Sequence, residues 1–303
     1  NFKGMKKFDL PKTINAQLRP YQKDGYNWLR FLNEYQFGGC LADDMGLGKT
    51  LQVLCLLADQ KEKGHSTSLV VVPRTLIYNW VAEIEKFSPE LTYLVHHGSA
   101  RSRDCKEFGS YDLVISVYGT VTRDINWLKE HPFHYIILDE SQAIKNSASL
   151  RYKSIMQLKG KYKITMTGTP IENSTMDLFA QFNFVNPGLL GNKTQFRKNF
   201  SDPIEKEGRT EARELLQKII HPFILRRTKT QVTKDLPAKT ESILYCEMEA
   251  EQKSLYDKIK NDIRVKLLAD EKLEQNKIQV LEGLLKLRQI CNSPALLPQN
   301  GEL

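Results

Sequence analysis

The stretch Leu41-Ala42-Asp43-Asp44-Met45-Gly46-Leu47-Gly48-Lys49-Thr50 decides the fold. It follows the apolar residues near Cys40 and precedes a helical run from Leu51 to Ala58. Glycines at 46 and 48 let backbone amides approach phosphate oxygens, and the helix N-terminus adds positive potential there. Lys49 can then reach the β- and γ-phosphates of a nucleotide, and the Thr50 hydroxyl can bind Mg²⁺. The strict loop has glycine where this chain has Asp43, so the loop is a variant. A glycine turn capping an ordinary helix would leave Lys49 without a task.

Around the loop, short apolar runs alternate with helical patterns. Leu69–Pro73, Thr92–His96, Leu113–Val117, Tyr135–Asp139 and Lys163–Thr167 read as strands. Between them, Leu76, Ile77, Trp80, Val81, Ile84 and Phe87 recur at helical spacing, with Thr75 as the expected cap. Buried strands alternating with helices indicate a parallel sheet covered on both faces. Ligands of such sheets bind at the carboxyl ends of the strands. Asp139-Glu140 stands at such an end: Asp139 would hold Mg²⁺ and Glu140 would orient or deprotonate an attacking water. Acidic residues are common at strand ends, but paired with the loop they favour nucleotide hydrolysis over bare binding.

From about Ser174 the pattern becomes mostly helical. Asp177–Val185 is amphipathic and stopped by Asn186-Pro187-Gly188, and Ala250–Gln275 and Val280–Ile290 are two more helices. A soft boundary near residue 186 therefore separates an α/β body, 1–186, from a helical part, 187–303, that can also pack with the body as one unit. The 303 residues are 41% hydrophobic and 26% charged, which excludes disorder as the main state. The net charge is +8, and the segment from Lys193 to Lys239 holds twelve Lys and Arg against six Asp and Glu. A solvated helical face explains that excess as readily as an acidic partner does.

Five cysteines without a Cys-x-x-Cys motif suit reduced thiols in an intracellular protein. The adjacent His96 and His97 make poor metal ligands, because neighbours on a strand face opposite sides. No apolar run is long enough to span a membrane, so no membrane partner is expected. The chain begins at Asn1 with no signal peptide, as a piece of a longer protein would.

The order of the phosphate loop, Pro73–Leu76, Asp139-Glu140-Ser141-Gln142 and Thr167-Gly168-Thr169-Pro170 resembles the first motor lobe of superfamily-two helicases and translocases. Within that group, Leu18–Gln22, Leu41–Thr50, Thr167–Asn173, Pro222–Thr228, Asp235–Pro237 and Leu287–Asn292 resemble SWI/SNF-type chromatin-remodelling ATPases and their bacterial relatives. Gln142 matches the bacterial form. The resemblance spans residues 18 to about 297 and implies an α/β, RecA-like P-loop NTPase lobe with a helical protrusion.

The resemblance also implies roles. ATP and Mg²⁺ would be bound by Gln22, Gly46, Gly48, Lys49, Thr50, Asp139 and Gln142, with Gln22 reading the adenine edge. Lys49, Asp139 and Glu140 would carry the chemistry, and Thr167, Gly168 and Thr169 would couple it to DNA. Pro73, Arg74, Thr75, Ser116, Tyr118, Arg226 and Arg227 would meet nucleic acid, with strand-to-helix turn chemistry as the competing account of the segments at 73–76 and 116–119. Lys193, Arg197, Lys198 and Lys229 are further candidates for DNA or interdomain contacts, and Trp28 and Trp80 are assigned to packing.

The implied partners are double-stranded DNA, a second motor lobe and a DNA-bound protein complex. One lobe lacks the arginine fingers that the second supplies, worth about 10³–10⁵ in rate. Weak ATP–Mg²⁺ binding and poor hydrolysis are therefore expected of this chain alone. Two other activities fit the same fold: an ATP-switched, non-catalytic scaffold, and a helicase that separates RNA or DNA strands. The location would be cytoplasmic in a bacterium and nuclear in a eukaryote.

Overall fold

The apolar runs form strands whose side chains alternate between two cores. In the computed structural model, which describes residues 6–168, 174–232, 243–269 and 276–297, Leu69 and Val71 enter one core. Val70 and Val72, their neighbours, enter the other. The strands are β1 (Gly39–Leu41), β2 (Ser68–Val72), β3 (Tyr93–His96), β4 (Leu113–Val117), β5 (Pro132–Leu138), β6 (Lys159–Met166) and β7 (Ile224–Leu225). They make one sheet in the order β3-β4-β2-β5-β6-β1-β7, with every paired neighbour parallel.

Both faces of the sheet are covered. On one, α1 (Pro20–Glu34), α2 (Lys49–Glu62) and α3 (Ile77–Phe87) contribute Trp28, Leu54 and Trp80 to the core. On the other, α4 (Tyr118–Leu128), α5 (Leu150–Gln157) and α6 (Thr175–Val185) contribute Val121, Ile155 and Phe182. Trp28 is fully buried and donates its indole N–H to Pro222 O at 3.0 Å. The helix expected over Asp177–Val185 begins slightly earlier because Ser174 caps it, accepting from the Asp177 amide. Thr75 makes no such cap. It lies in a 3₁₀ turn, Arg74–Leu76, that precedes α3.

The chain divides into two compact units, Asn1–Leu236 and Pro237–Leu303, and not near residue 186. The reason is packing. After α6 come α7 (Lys193–Phe196), a π-helical stretch (Arg197–Ser201), α8 (Asp202–Glu205) and α9 (Thr210–Ile220). Their Phe196, Phe200, Leu216 and Ile220 join the core that holds Leu69 and Phe182, and β7 extends the sheet. The short α10 (Lys229–Val232) closes the described part of this unit.

The second unit contains α11 (Ala250–Ala269) and α12 (Asn276–Asn292). They approach closely at Gly283, where an added Cβ would lie 2.8 Å from Ile263 Cδ1. Gln252 Nε2 donates to Ile290 O at 2.6 Å across the pair. Among the described residues, no helix is long and apolar enough to cross a membrane.

Candidate functional site

The carboxyl end of β1 runs directly into the glycine loop, and the loop into α2. Gly46 and Gly48 have φ of +84° and +75°, left-handed values that favour glycine. Gly48 is doubly constrained, since a Cβ there would stand 2.4 Å from Gln22 Nε2. Lys49 Nζ donates to the loop's own Asp43 O at 2.7 Å. Gln22 Oε1 accepts from Arg19 N at 2.9 Å, and its Nε2 donates to Leu47 O at 3.2 Å. An amide has two donor hydrogens and two acceptor lone pairs, so Gln22 keeps one of each for a ligand edge.

The variant position, Asp43, is fully buried. Arg227 Nε donates to its Oδ1 at 2.8 Å, the Arg227 amide donates to the same oxygen at 3.1 Å, and Arg227 Nη2 pairs with Oδ2. The guanidinium also bonds Tyr21 O and, at 2.8 Å, Gln52 Oε1, so each of its three nitrogens is engaged. The carboxylate that replaces the usual glycine is thus half of an ion pair with a residue 184 positions away. Arg227 is partly buried against Asp43 at the phosphate loop, with 13% of its side chain exposed, whereas the neighbouring Arg226 is exposed.

Asp139 follows β5 and is buried, and it lines one cleft of about 810 Å³ with Gln22, Gly46, Gly48, Lys49, Thr50 and Glu140. Its Oδ2 accepts from Trp80 Nε1 and its Oδ1 from the Glu140 amide, each at 2.9 Å. Burial raises the Asp139 pKa above the ordinary carboxylate value, and these two donors oppose the rise. Burial, with Asp139 nearby, also raises the pKa of Glu83 on the cleft wall. A desolvated carboxylate facing a cleft that also holds the Thr50 hydroxyl fits a hard cation, which favours oxygen ligands. Trp80 packs, as its burial at 1% exposure requires, but it also orients Asp139. Sequence spacing carried no sign of that second role, because Trp80 and Asp139 are 59 residues apart.

Glu140 has φ +47° and ψ +56°, a left-handed conformation that costs a non-glycine residue about 1–2 kcal/mol. Gln142 Nε2 donates to Glu140 Oε2 at 2.8 Å, and Thr167 Oγ1 donates to Gln142 Oε1 at 3.2 Å. The Thr167 amide in turn donates to Leu41 O at 3.1 Å, beside the phosphate loop. Glu140, Gln142 and Thr167 therefore form one hydrogen-bonded chain across the ends of β5, β6 and β1. Gly168 lies next to Met45, and Thr169 lies outside the described residues.

The nucleic-acid candidates separate. Arg74 and Thr75 are exposed at the end of β2, after Pro73. Ser116 and Tyr118 are buried: Ser116 Oγ donates to His96 O at 2.9 Å, and Tyr118 OH donates to Asp139 O at 2.7 Å. Their side chains hold the sheet end together, and only Gly119 is exposed there. Sequence reading missed Arg101 and Arg123, which with Arg74 lie near His97 and lower its pKa after burial does. Arg101 is fixed by two hydrogen bonds to Asp124, both 2.7 Å, and Asp124 also bonds the buried His96 at 3.0 Å. The ends of β2, β3 and β4 thus carry a cationic patch. Lys193, Arg197 and Lys198 are exposed on the far helical stretch, with Arg197 3.5 Å from Asp202.

Residues 21–296 match the SNF2-related domain. The chain is 41% identical over 278 residues to an uncharacterized ATP-dependent helicase, MG018, of Mycoplasma genitalium, covering 91% of this chain and 26% of that protein. It is 39% identical over 291 residues to the putative ATP-dependent helicase/translocase YwqA of Bacillus subtilis, covering 94% and 32%. The chain thus spans about a quarter to a third of the length of these curated relatives. A Sulfolobus solfataricus SWI2/SNF2 ATPase core solved in complex with double-stranded DNA superimposes with a TM-score of 0.71 at 43% identity, covering 97% of this chain and 63% of that one. The same core solved as the ATPase core domain gives 0.71 at 41% identity, covering 99% and 62%. The fold is that of a RecA-like lobe, the phosphate loop, acidic pair and Arg227 all lie within the matched span, and the chain belongs to the SNF2-related domain family.

Proposed function

We propose that this chain is the ATP-binding lobe of a DNA-dependent ATPase that moves along double-stranded DNA. One observation carries the reading: Lys49, Thr50, Asp139 and Glu140 line a single cleft at the carboxyl ends of the strands. ATP would lie with its phosphates on the amides of the loop, and Lys49 would exchange the Asp43 carbonyl for phosphate oxygens. Gln22 would offer its remaining donor and acceptor to adenine. Thr50 and Asp139 are the residues to hold Mg²⁺, which neutralises charge on the phosphates when bound. Glu140 is the carboxylate to orient and deprotonate the attacking water, held by Gln142. The intact acidic pair favours turnover over an ATP-switched scaffold.

The DNA would run past Arg74, Arg101 and Arg123, at the same sheet end as the nucleotide. The chain from Glu140 through Gln142 to Thr167 is the route by which the state of the nucleotide would reach the rest of the motor. A second lobe in the full-length protein would supply the arginine that speeds hydrolysis by about 10³–10⁵, so this lobe alone hydrolyses slowly. Such a protein would meet its DNA in the cytoplasm of a bacterium or the nucleus of a eukaryote. Equilibrium binding of labelled ATP with Mg²⁺ tests the site: Lys49→Ala should abolish it, and binding equal to wild type would refute the assignment.

A further inference from the structure

The segment after β7 does more than tie down Asp43. Three backbone contacts fasten it to the phosphate loop: Arg227 N to Asp43 Oδ1 at 3.1 Å, Asp44 N to Arg227 O at 3.0 Å, and Lys229 N to Asp44 Oδ2 at 3.0 Å. The last of these sets the Lys229 side chain over the loop. A methyl carbon placed on Gly46 would lie 3.7 Å from Lys229 Cε and 3.8 Å from its Nζ. Lys229 is exposed and lines the same cleft as Lys49, Thr50 and Asp139. Lys49 approaches from the start of α2, with its ammonium on the Asp43 carbonyl. Lys229 reaches the loop from a segment 180 residues later in the chain.

We infer that Lys229 is a second phosphate-binding lysine of this site, held over Gly46 by the Asp43–Arg227 pair, and that its ligand is the polyphosphate of a nucleoside triphosphate. The inference rests on the ATP reading proposed above. It explains why the loop has a buried aspartate where glycine is usual. The carboxylate anchors a distant segment whose lysine completes the cradle. An ammonium is suited to the task, because a phosphate chain offers several charged acceptors in an uncertain rotational setting and a point charge serves them all.

The test is binding of a fluorescent ATP analogue with Mg²⁺ to the protein, wild type against Lys229→Ala, Lys229→Arg and Lys49→Ala. Lys229→Ala should weaken binding about tenfold, the size of one charge-assisted hydrogen bond. Lys229→Arg should restore most of it. Adenosine monophosphate, which lacks the β- and γ-phosphates, should change less than about twofold. Arg227→Ala should weaken ATP binding too, and adding Lys229→Ala to it should cost little more, since the two act as one unit. The inference is overturned if Lys229→Ala binds like wild type while Lys49→Ala has lost the nucleotide. If Lys49→Ala also binds like wild type, the ATP reading falls, and this inference with it.

Discussion

Trp80 illustrates what a single residue does here that its type does not announce. A tryptophan at helical spacing on an apolar face is a packing residue, and Trp80 packs. Its N–H also holds the carboxylate of Asp139, a contact that exists only because α3 crosses behind β5. Phenylalanine at 80 would keep most of the volume and remove the donor. We expect Trp80→Phe to lower stability by about 1–3 kcal/mol, read from urea denaturation, since a buried carboxylate loses a partner. Glu140→Gln keeps the shape and the Gln142 contact but cannot take a proton. It should leave nucleotide binding within about twofold and cut hydrolysis at least 100-fold, the low end of general-base contributions. That Lys49, Asp139 and Glu140 share one cleft was legible because chemistry restricts such positions to a few residue types. The left-handed backbone of Glu140 and the burial of Ser116 and Tyr118 were not, because they depend on how three strand ends meet.

Elements were legible in proportion to the length of their pattern. Five apolar runs of five residues became β2 to β6, and the α2 helix followed from the loop. β7 has two residues, too few for any periodicity, and it was hidden inside a segment read for its charge. The change to a helical pattern set the expected boundary at residue 186, and residues beyond it, among them Phe196, Leu216 and Ile220, pack into the first core. The sequence reading placed Arg227 with Arg226 among the nucleic-acid candidates. Its ion pair with Asp43 is buried, and removing one partner of such a pair costs about 3–5 kcal/mol. Arg227→Ala should therefore lower stability by that amount in chemical denaturation, far more than Arg226→Ala at the exposed neighbouring position. A loss equal to that of Arg226→Ala would mean that the Asp43–Arg227 pair contributes nothing to the loop. The glycine loop itself tolerates no side chain at 48. Gly48→Ala meets both a left-handed φ and Gln22 Nε2, and should cost at least about 1 kcal/mol and weaken ATP binding.

At the scale of the molecule, charge and pH act on different ends of the sheet. His134, near the start of β5, is 5% exposed, bonds Gln60 Oε1 at 2.9 Å and stacks on His65. Burial, aided by the positive charges of His65 and Lys161, lowers its pKa to about 4. The unfolded chain takes up this proton near its ordinary value of 6.5, so protonation favours unfolding. The stability is fully present above about pH 6.5 and is lost as pH falls toward 4, by about 1–3 kcal/mol. His134→Gln should flatten that slope in denaturation measured across the same range.

The net charge of +8 has no single owner in the fold. Arg74, Arg101 and Arg123 cluster at the nucleotide end, and the lysines and arginines from 193 to 198 lie on exposed helix. Nucleic-acid phosphates would use the first group, and their contacts would weaken steeply with salt. If this lobe belongs to a DNA-dependent motor, ATP turnover at the cleft answers to duplex DNA. It is tested by the ATPase rate of the full-length protein with and without double-stranded DNA, beside an Arg74→Ala/Arg123→Ala variant. A DNA-dependent motor gives a rate that rises at least about tenfold with DNA and a variant that responds only at higher DNA concentration. A rate that is the same with and without DNA contradicts it.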